Sequence, residues 1–166
     1  MLKEYTATPN DKLGVLPDDL GIPVGQTAPD FTATDLEGAS TTLSALREKH
    51  GAILLAFYRG GWCPYCNFEI HALSKAFPDF KSKSVTPVAI SVDKVDEASK
   101  TNATYEIPFP VLSDSELRGH EAFRVVHEAS DDEVSRLKGF GIDLEKSSGK
   151  AHHKFAVPAF FLIDAS

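Results

Sequence analysis

The only two cysteines of this 166-residue chain stand as Cys63-Pro64-Tyr65-Cys66 directly after an apolar run, and no other feature constrains the fold as much. That run, Ala52-Ile53-Leu54-Leu55-Ala56-Phe57-Tyr58, is apolar on both faces, as a central parallel strand is. After Gly60-Gly61 the period changes: Ile70, Leu73 and Phe77 fall at helical spacing with Phe68 and Ala72 alongside, which predicts a helix from about Pro64 to Phe77. Pro64 suits its first turn, where no amide partner is lost. Cys63 therefore sits at a helix N-terminus, where unpaired amides and the positive end of the dipole favour thiolate. Spacing of three puts Cys66 one turn further in, within reach of Cys63, where Trp62 and the following helix cover it; Cys63 is expected to have the lower pKa and the greater exposure. A disulfide closing so short a loop constrains the unfolded chain little, so the pair is a poor staple and better suited to reversible thiol chemistry. Zinc would need two further ligands. The nearest in type, His152 and His153, are adjacent rather than at metal spacing and read as loop residues, so no metal is expected.

The rest of the chain alternates strand and helix patterns. Gln26 to Gly38 alternates loosely and turns at Glu37-Gly38, which predicts a β-hairpin followed by a short helix near Ser44 to Lys49. Pro87 to Val92 is the next strand, and Asp93 can cap a helix reaching about Tyr105. Phe109 to Leu112 is extended, Ser113 with Glu116 forms a capping box for a helix through Phe123, and Ser130 with Glu133 repeats that signature before a helix ending near Gly139. From there to Ala156 the Gly, Ser, Lys and His content reads as a long surface loop, and Val157 to Asp164 is the last strand. Residues 1–24, with Pro9, Pro17 and Pro23, read as an arm laid over a single domain at 25–166. That domain ends on an apolar strand where a further strand and helix would be expected, so the chain reads as cut short.

A net charge of −7, from 17 Lys+Arg against 24 Asp+Glu, is the wrong sign for tracking a phosphate backbone, so no nucleic acid is expected. The longest apolar runs are far short of a membrane span, and the first residues lack the apolar core of a secretory signal, so the expected compartment is the cytoplasm.

Several stretches together resemble the peroxiredoxin-like (AhpC/TSA, or redoxin) branch of the thioredoxin superfamily. Val24-Gly25-Gln26-Thr27-Ala28-Pro29-Asp30-Phe31 is similar to its first strand, and Phe57-Tyr58-Arg59-Gly60-Gly61-Trp62-Cys63-Pro64-Tyr65-Cys66-Asn67-Phe68-Glu69 to its active-site segment. Phe109 to Asp114 and Val157 to Asp164 resemble its later core. The resemblance implies an α/β thioredoxin-like fold, with a central mixed β-sheet flanked by helices and a peroxiredoxin-type N-terminal hairpin.

Departures from that pattern bear on function. Aligned without gaps from Phe57, Cys66 falls at the peroxidatic cysteine and Glu69 at the acidic residue after it. In the motif Pro-x-x-x-Thr-x-x-Cys the proline is replaced by Arg59 and the threonine by Cys63, and the arginine before the last strand by Pro158. These losses weaken peroxide orientation. They also restore a complete Cys-x-x-Cys and a proline where thioredoxins carry a cis-proline. The resemblance thus implies a thiol–disulfide oxidoreductase in which Cys63 attacks and Cys66 resolves; the alternative is a thiol-dependent peroxidase with Cys66 peroxidatic and Cys63 resolving, and a non-catalytic redox or zinc module is the third reading. Arg59, Trp62, Val157 and Pro158 are expected to form the substrate groove, with Val157-Pro158 cis and the Val157 backbone free to pair with substrate. Glu69 is a candidate proton relay. The buried aspartate that thioredoxins place seven residues before the first cysteine corresponds to Ala56, so another group or water must handle protons. No cofactor is expected; the partners would be a disulfide or peroxide substrate and a dithiol donor such as thioredoxin or glutathione/glutaredoxin, with room for a homodimer.

Overall fold

Alternation of strand and helix builds one mixed sheet around the run that precedes the cysteines. The computed structural model describes residues 19–166, so most of the expected N-terminal arm lies outside the described residues. The hairpin strands β1 (Thr32–Thr34) and β2 (Ser40–Thr42) pair antiparallel and lead into α1 (Leu43–His50), whose first turn is capped by the Thr42 hydroxyl accepting from Ala45 N–H. Next come β3 (Ala52–Phe57), α2 (Pro64–Ser82), β4 (Val85–Ser91), α3 (Val95–Tyr105) and β5 (Val111–Ser113). Then α4 (Arg118–Ala122), β6 (Val126–Glu128), α5 (Asp131–Gly139), α6 (Leu144–Ser148), β7 (Lys154–Ala156) and β8 (Ala159–Ile163) complete the chain. The six-stranded sheet runs β2-β1-β5-β4-β3-β8, with β3, β4 and β5 parallel and β8 antiparallel to β3.

Side-chain alternation along the central strands divides the core. Ile53, Leu55, Phe57, Val88, Ile90 and Leu112 face one side with Leu43, Leu46 and Phe123. Ala89 and Val111 face the other, where they meet Tyr58, both cysteines, Ile70, Ala98 and Phe109. Each large apolar side chain so buried contributes about 1.5–3 kcal/mol relative to exposure. The thiol pair is therefore built into a packed layer.

Several sequence expectations are corrected. α2 runs past Phe77 to Ser82 with Pro78 inside it: packing of Ile70, Leu73 and Phe77 against the sheet outweighs the one backbone hydrogen bond that proline forgoes. Phe68 and Ala72, expected beside that apolar stripe, are exposed. Ser113 does not cap a helix, because it is the last residue of β5 and pairs with Thr34; α4 starts after Leu117, anchored by Asp114, whose carboxylate accepts from His120 N–H at 2.9 Å and meets its Nδ1 at 2.6 Å. Asp93 is not a cap either, since the α3 N-cap is Lys94 without a side-chain bond. The segment read as a loop holds α6, capped by Asp143 and closed by Gly149 in left-handed conformation, and β7, which pairs with β6 as a separate ribbon. Its polar composition hid Leu144 and Phe155, both buried.

Candidate functional site

The turn 60–63 between β3 and α2 is fixed by one hydrogen bond within it and two from neighbouring segments. Cys63 N–H donates to Gly60 O at 3.1 Å, Asn67 Nδ2 on α2 donates to Gly61 O at 2.7 Å, and Gly61 N–H donates to Asp93 Oδ2, after β4, at 2.7 Å. A side chain at either glycine would force its neighbours to shift. A Cβ on Gly60 would lie 2.5 Å from Trp62 Nε1 and 2.8 Å from Asp93 Oδ1, and one on Gly61 would collide with the Thr101 hydroxyl.

This turn makes Cys63 the N-cap of α2, its sulfur accepting from Cys66 N–H at 3.4 Å. Both cysteines are free thiols. The hydrogen bond from the Cys66 thiol, the Cys66 and Tyr65 amides and the Arg59 charge together outweigh burial and lower the Cys63 pKa from 9 to about 6. Giving that same hydrogen bond, and being buried, pushes Cys66 up, against the Arg59 amide and charge that favour its thiolate. The expected ordering of the two pKa values is present. The expected difference in exposure is not: Cys63 is 4% and Cys66 3% exposed, because both sulfurs join the apolar layer with Tyr58 and Ile70.

The remaining candidates divide. Arg59 is exposed, its guanidinium 6.0 Å from the Phe155 ring centroid, and its charge acts on both sulfurs. Trp62 stands edge-on to Phe155, centroids 5.3 Å apart and planes at 82°, and walls a cavity of about 250 Å³ with Asp93, Thr101 and Tyr105. Glu69 is exposed on α2, outside the buried cluster. Val157-Pro158 is trans, which corrects the cis expectation, and Pro158 is exposed. Nor is the Val157 amide free: the pairing of β7 with β6 continues past Ala156, so Val157 N–H donates to Val125 O at 2.7 Å. Neither His152, whose Nε2 lies 3.1 Å from Ser115 O, nor His153, 2.8 Å from Glu145, is drawn to the cysteines.

Sequence reasoning missed Asn67 and Asp93. Asn67 lies three residues before Ile70 on the buried face of α2, a polar residue in an apolar stripe, which is a legible signal. Asp93 is 1% exposed with Oδ1 unpartnered, and burial raises its pKa to about 6.

The model of the AhpC/TSA family matches residues 24–166. The chain belongs to the AhpC/TSA family. A thiol-disulfide oxidoreductase ResA from Bacillus thuringiensis (strain Al Hakam) is 34% identical over 102 residues, covering 61% of this chain and 57% of the relative. The thioredoxin-like protein YneN of Bacillus subtilis is 31% identical over 100 residues, covering 58% and 56%. The matched part thus spans little more than half the length of these relatives. Among solved structures, peroxidoxin BcpB from Mycobacterium tuberculosis superposes with a TM-score of 0.67 at 22% identity, covering 88% of this chain and 80% of that one. A mutant of Xylella fastidiosa PrxQ gives 0.64 at 19%, covering 91% and 82%. The AhpC/TSA chain has the thioredoxin-like α/β fold these structures share. No helix among its described residues is long and apolar enough to cross a membrane.

Proposed function

We propose that this AhpC/TSA protein is a thiol–disulfide oxidoreductase in which Cys63 attacks a substrate disulfide and Cys66 closes the Cys63–Cys66 bond to release the product. The observation that carries this reading is the geometry at the helix start: Cys63 is the N-cap of α2 and its sulfur accepts from Cys66 N–H at 3.4 Å, which with the Arg59 charge favours its thiolate, while burial one turn further in disfavours ionisation of Cys66. Nucleophilicity in exchange follows the thiolate fraction, so chemistry starts at Cys63. The names of the ResA relatives agree with this activity.

A peroxidase reading, with Cys66 attacking peroxide and Cys63 resolving the sulfenic acid, is favoured by one observation, the Arg59 amide and charge on Cys66. Single mutants separate the two. In the disulfide reading Cys66→Ser accumulates a mixed disulfide on Cys63 and Cys63→Ser is inert toward disulfides, as mass spectrometry would show. Fast sulfenic acid formation at Cys66 in Cys63→Ser would instead establish the peroxidase.

The proposed electron donor is a cellular dithiol such as thioredoxin or glutathione/glutaredoxin, and the proposed compartment is the cytoplasm, which fractionation tests. Arg59 and Trp62 are proposed to line the approach to Cys63. The trans, exposed Pro158 and the occupied Val157 amide withdraw support from a substrate groove built on that dipeptide.

A further inference from the structure

The cavity of about 250 Å³ beside the active-site turn has Gly61 and Trp62, the two residues before Cys63, in its wall. Across from them α3 contributes Glu97, Lys100, Thr101 and Thr104, and Asp93, just after β4, lines it as well. Asp93 is 1% exposed; its Oδ2 is taken by Gly61 N–H at 2.7 Å, and its Oδ1 has no partner. The lining leaves that oxygen unserved. Lys100, the one cation there, is paired with Glu97 at 2.7 Å, and the Thr101 hydroxyl donates to Glu97 O at 3.2 Å. The cavity therefore carries one carboxylate with neither a counter-charge nor a donor for its second oxygen. A buried polar atom left in that state is costly, and a donor arriving in the cavity removes the cost.

Resting on the disulfide-exchange reading above, we propose that this cavity is a substrate subsite for low-molecular-weight disulfides that carry a primary amine close to the sulfurs, with the ammonium group paired to Asp93 Oδ1. The Cys63 thiolate bonds to one sulfur of the bound disulfide, the sulfur–sulfur bond breaks, and one aminothiol leaves as a thiolate with the electron pair. Cys66 then gives up its proton and bonds to the Cys63 sulfur, expelling the second aminothiol, and the released thiolates take up the proton. The substrate disulfide is the oxidant, so no further reactant is needed.

Size, charge and position agree on this occupant. The cavity is smaller than the roughly 300–1,000 Å³ that hold drug-sized ligands, so it takes a short side arm rather than a peptide. Cys63 is 4% exposed, and a sulfur so nearly covered is reached more easily by a slim disulfide than by a loop of a folded protein. Gly61, bonded to Asp93, lies two residues before Cys63, a chain span of at most about 7 Å, so carboxylate and sulfur stand beside the same turn. Trp62, held edge-on against Phe155, adds an aromatic wall, which attracts a cation. Arg59, whose charge acts on both sulfurs, would instead draw an anionic disulfide, so the sign of the charge preference tells the two groups apart. Asp93 is thus a specificity-determining residue, in contact with substrate but not with the reacting sulfurs.

The test oxidises the reduced protein with three disulfides of similar size, cystamine (cationic), hydroxyethyl disulfide (neutral) and dithiodipropionate (anionic), and follows thiol loss by acid quench and mass spectrometry at neutral pH. Each rate is divided by that of the same disulfide with a free thiol, which cancels differences in the leaving group. The normalised rate with cystamine should exceed the other two by about tenfold, as for a charge-assisted hydrogen bond. Asp93→Asn keeps an acceptor for Gly61 N–H but removes the charge, and should bring the cystamine rate down to that of hydroxyethyl disulfide. Thr104→Phe, at an exposed position of α3, fills the cavity without touching the carboxylate and should lower the same ratio. Equal normalised rates in wild type overturn the subsite, as does a preference that persists in Asp93→Asn or, should that variant not fold, in Thr104→Phe. A preference that vanishes in about 0.5 M salt would belong to the net charge of the protein and overturns it too. Failure of the underlying reading looks different: Cys63→Ser would then react with hydroxyethyl disulfide as fast as wild type.

Discussion

The Asp93 carboxylate accepts a 2.7 Å hydrogen bond from Gly61 N–H, 32 residues away in sequence and two residues before Cys63. One bond cannot repay burial of that charge, and the carboxyl pKa rises from 3.8 to about 6. Between those values the unfolded chain has released its proton while the folded chain still holds it, so the wild type loses stability as pH rises through that window. Asp93→Asn removes the loss. The variant is expected to be more stable than wild type at pH 7 by about 3 kcal/mol, a gain that shrinks below pH 6 and disappears below about pH 4. Urea unfolding at several pH values checks this; a pH-independent difference would mean that Asp93 folds as an ordinary carboxylate.

Thiolate on Cys63 should govern alkylation. With its pKa near 6, the iodoacetamide rate of reduced protein should be flat above about pH 7 and fall as pH drops through 6, whereas an ordinary thiol would still be gaining at pH 8. Arg59→Ala removes one of the causes and should move the midpoint upward, though less than loss of the Cys66 thiol donor in Cys66→Ala. Mass-resolved alkylation across pH reads both.

Close approach of α3 to the active-site turn gives a third prediction. A Cβ on Gly61 would strike the Thr101 hydroxyl, which is tied to Glu97 O at 3.2 Å, so Gly61→Ala must displace the turn or the helix. It should cost about 1–3 kcal/mol and slow Cys63 attack. Thr101→Ala deletes the obstructing oxygen and should recover part of both losses in the double variant. A Gly61→Ala protein with wild-type stability would contradict the packing.

Local patterns were legible where the chain decides structure by itself. The two-faced β3 run, the change of period at α2 and the Ser130–Glu133 cap, whose hydroxyl accepts from Glu133 N–H at 3.2 Å, needed no distant partner. The same signature at Ser113–Glu116 failed because β5 claims Ser113 for its pairing with Thr34, a contact across the sheet. Asp93 looked like a helix cap for a similar reason: only the fold brings Gly61 to it. In the polar stretch 140–156, Leu144 and Phe155 were too widely spaced to show a period, yet they bury against Val92 and Leu117, with Trp62 packed alongside. That ribbon then captures Val157 N–H and withdraws the Val157-Pro158 dipeptide from the role its position suggested.

Stabilising the Cys63 thiolate stabilises the reduced protein, and so sets the redox potential. Cys-x-x-Cys proteins whose nucleophile has a pKa of about 7 lie near about −270 mV, and those near about 3.5 lie near about −120 mV. Cys63, at about 6, falls closer to the first group. The expected potential lies within about −200 to −270 mV. Because 30 mV is about 1.4 kcal/mol in this two-electron couple, removing the Arg59 charge should shift the potential by about 30 mV or less toward negative values. Titration against a glutathione or dithiothreitol buffer, read by alkylation, measures both. A value below about −300 mV would mark Cys63–Cys66 as a structural bond that cellular thiols do not reopen, and would remove the basis for catalytic exchange at this pair.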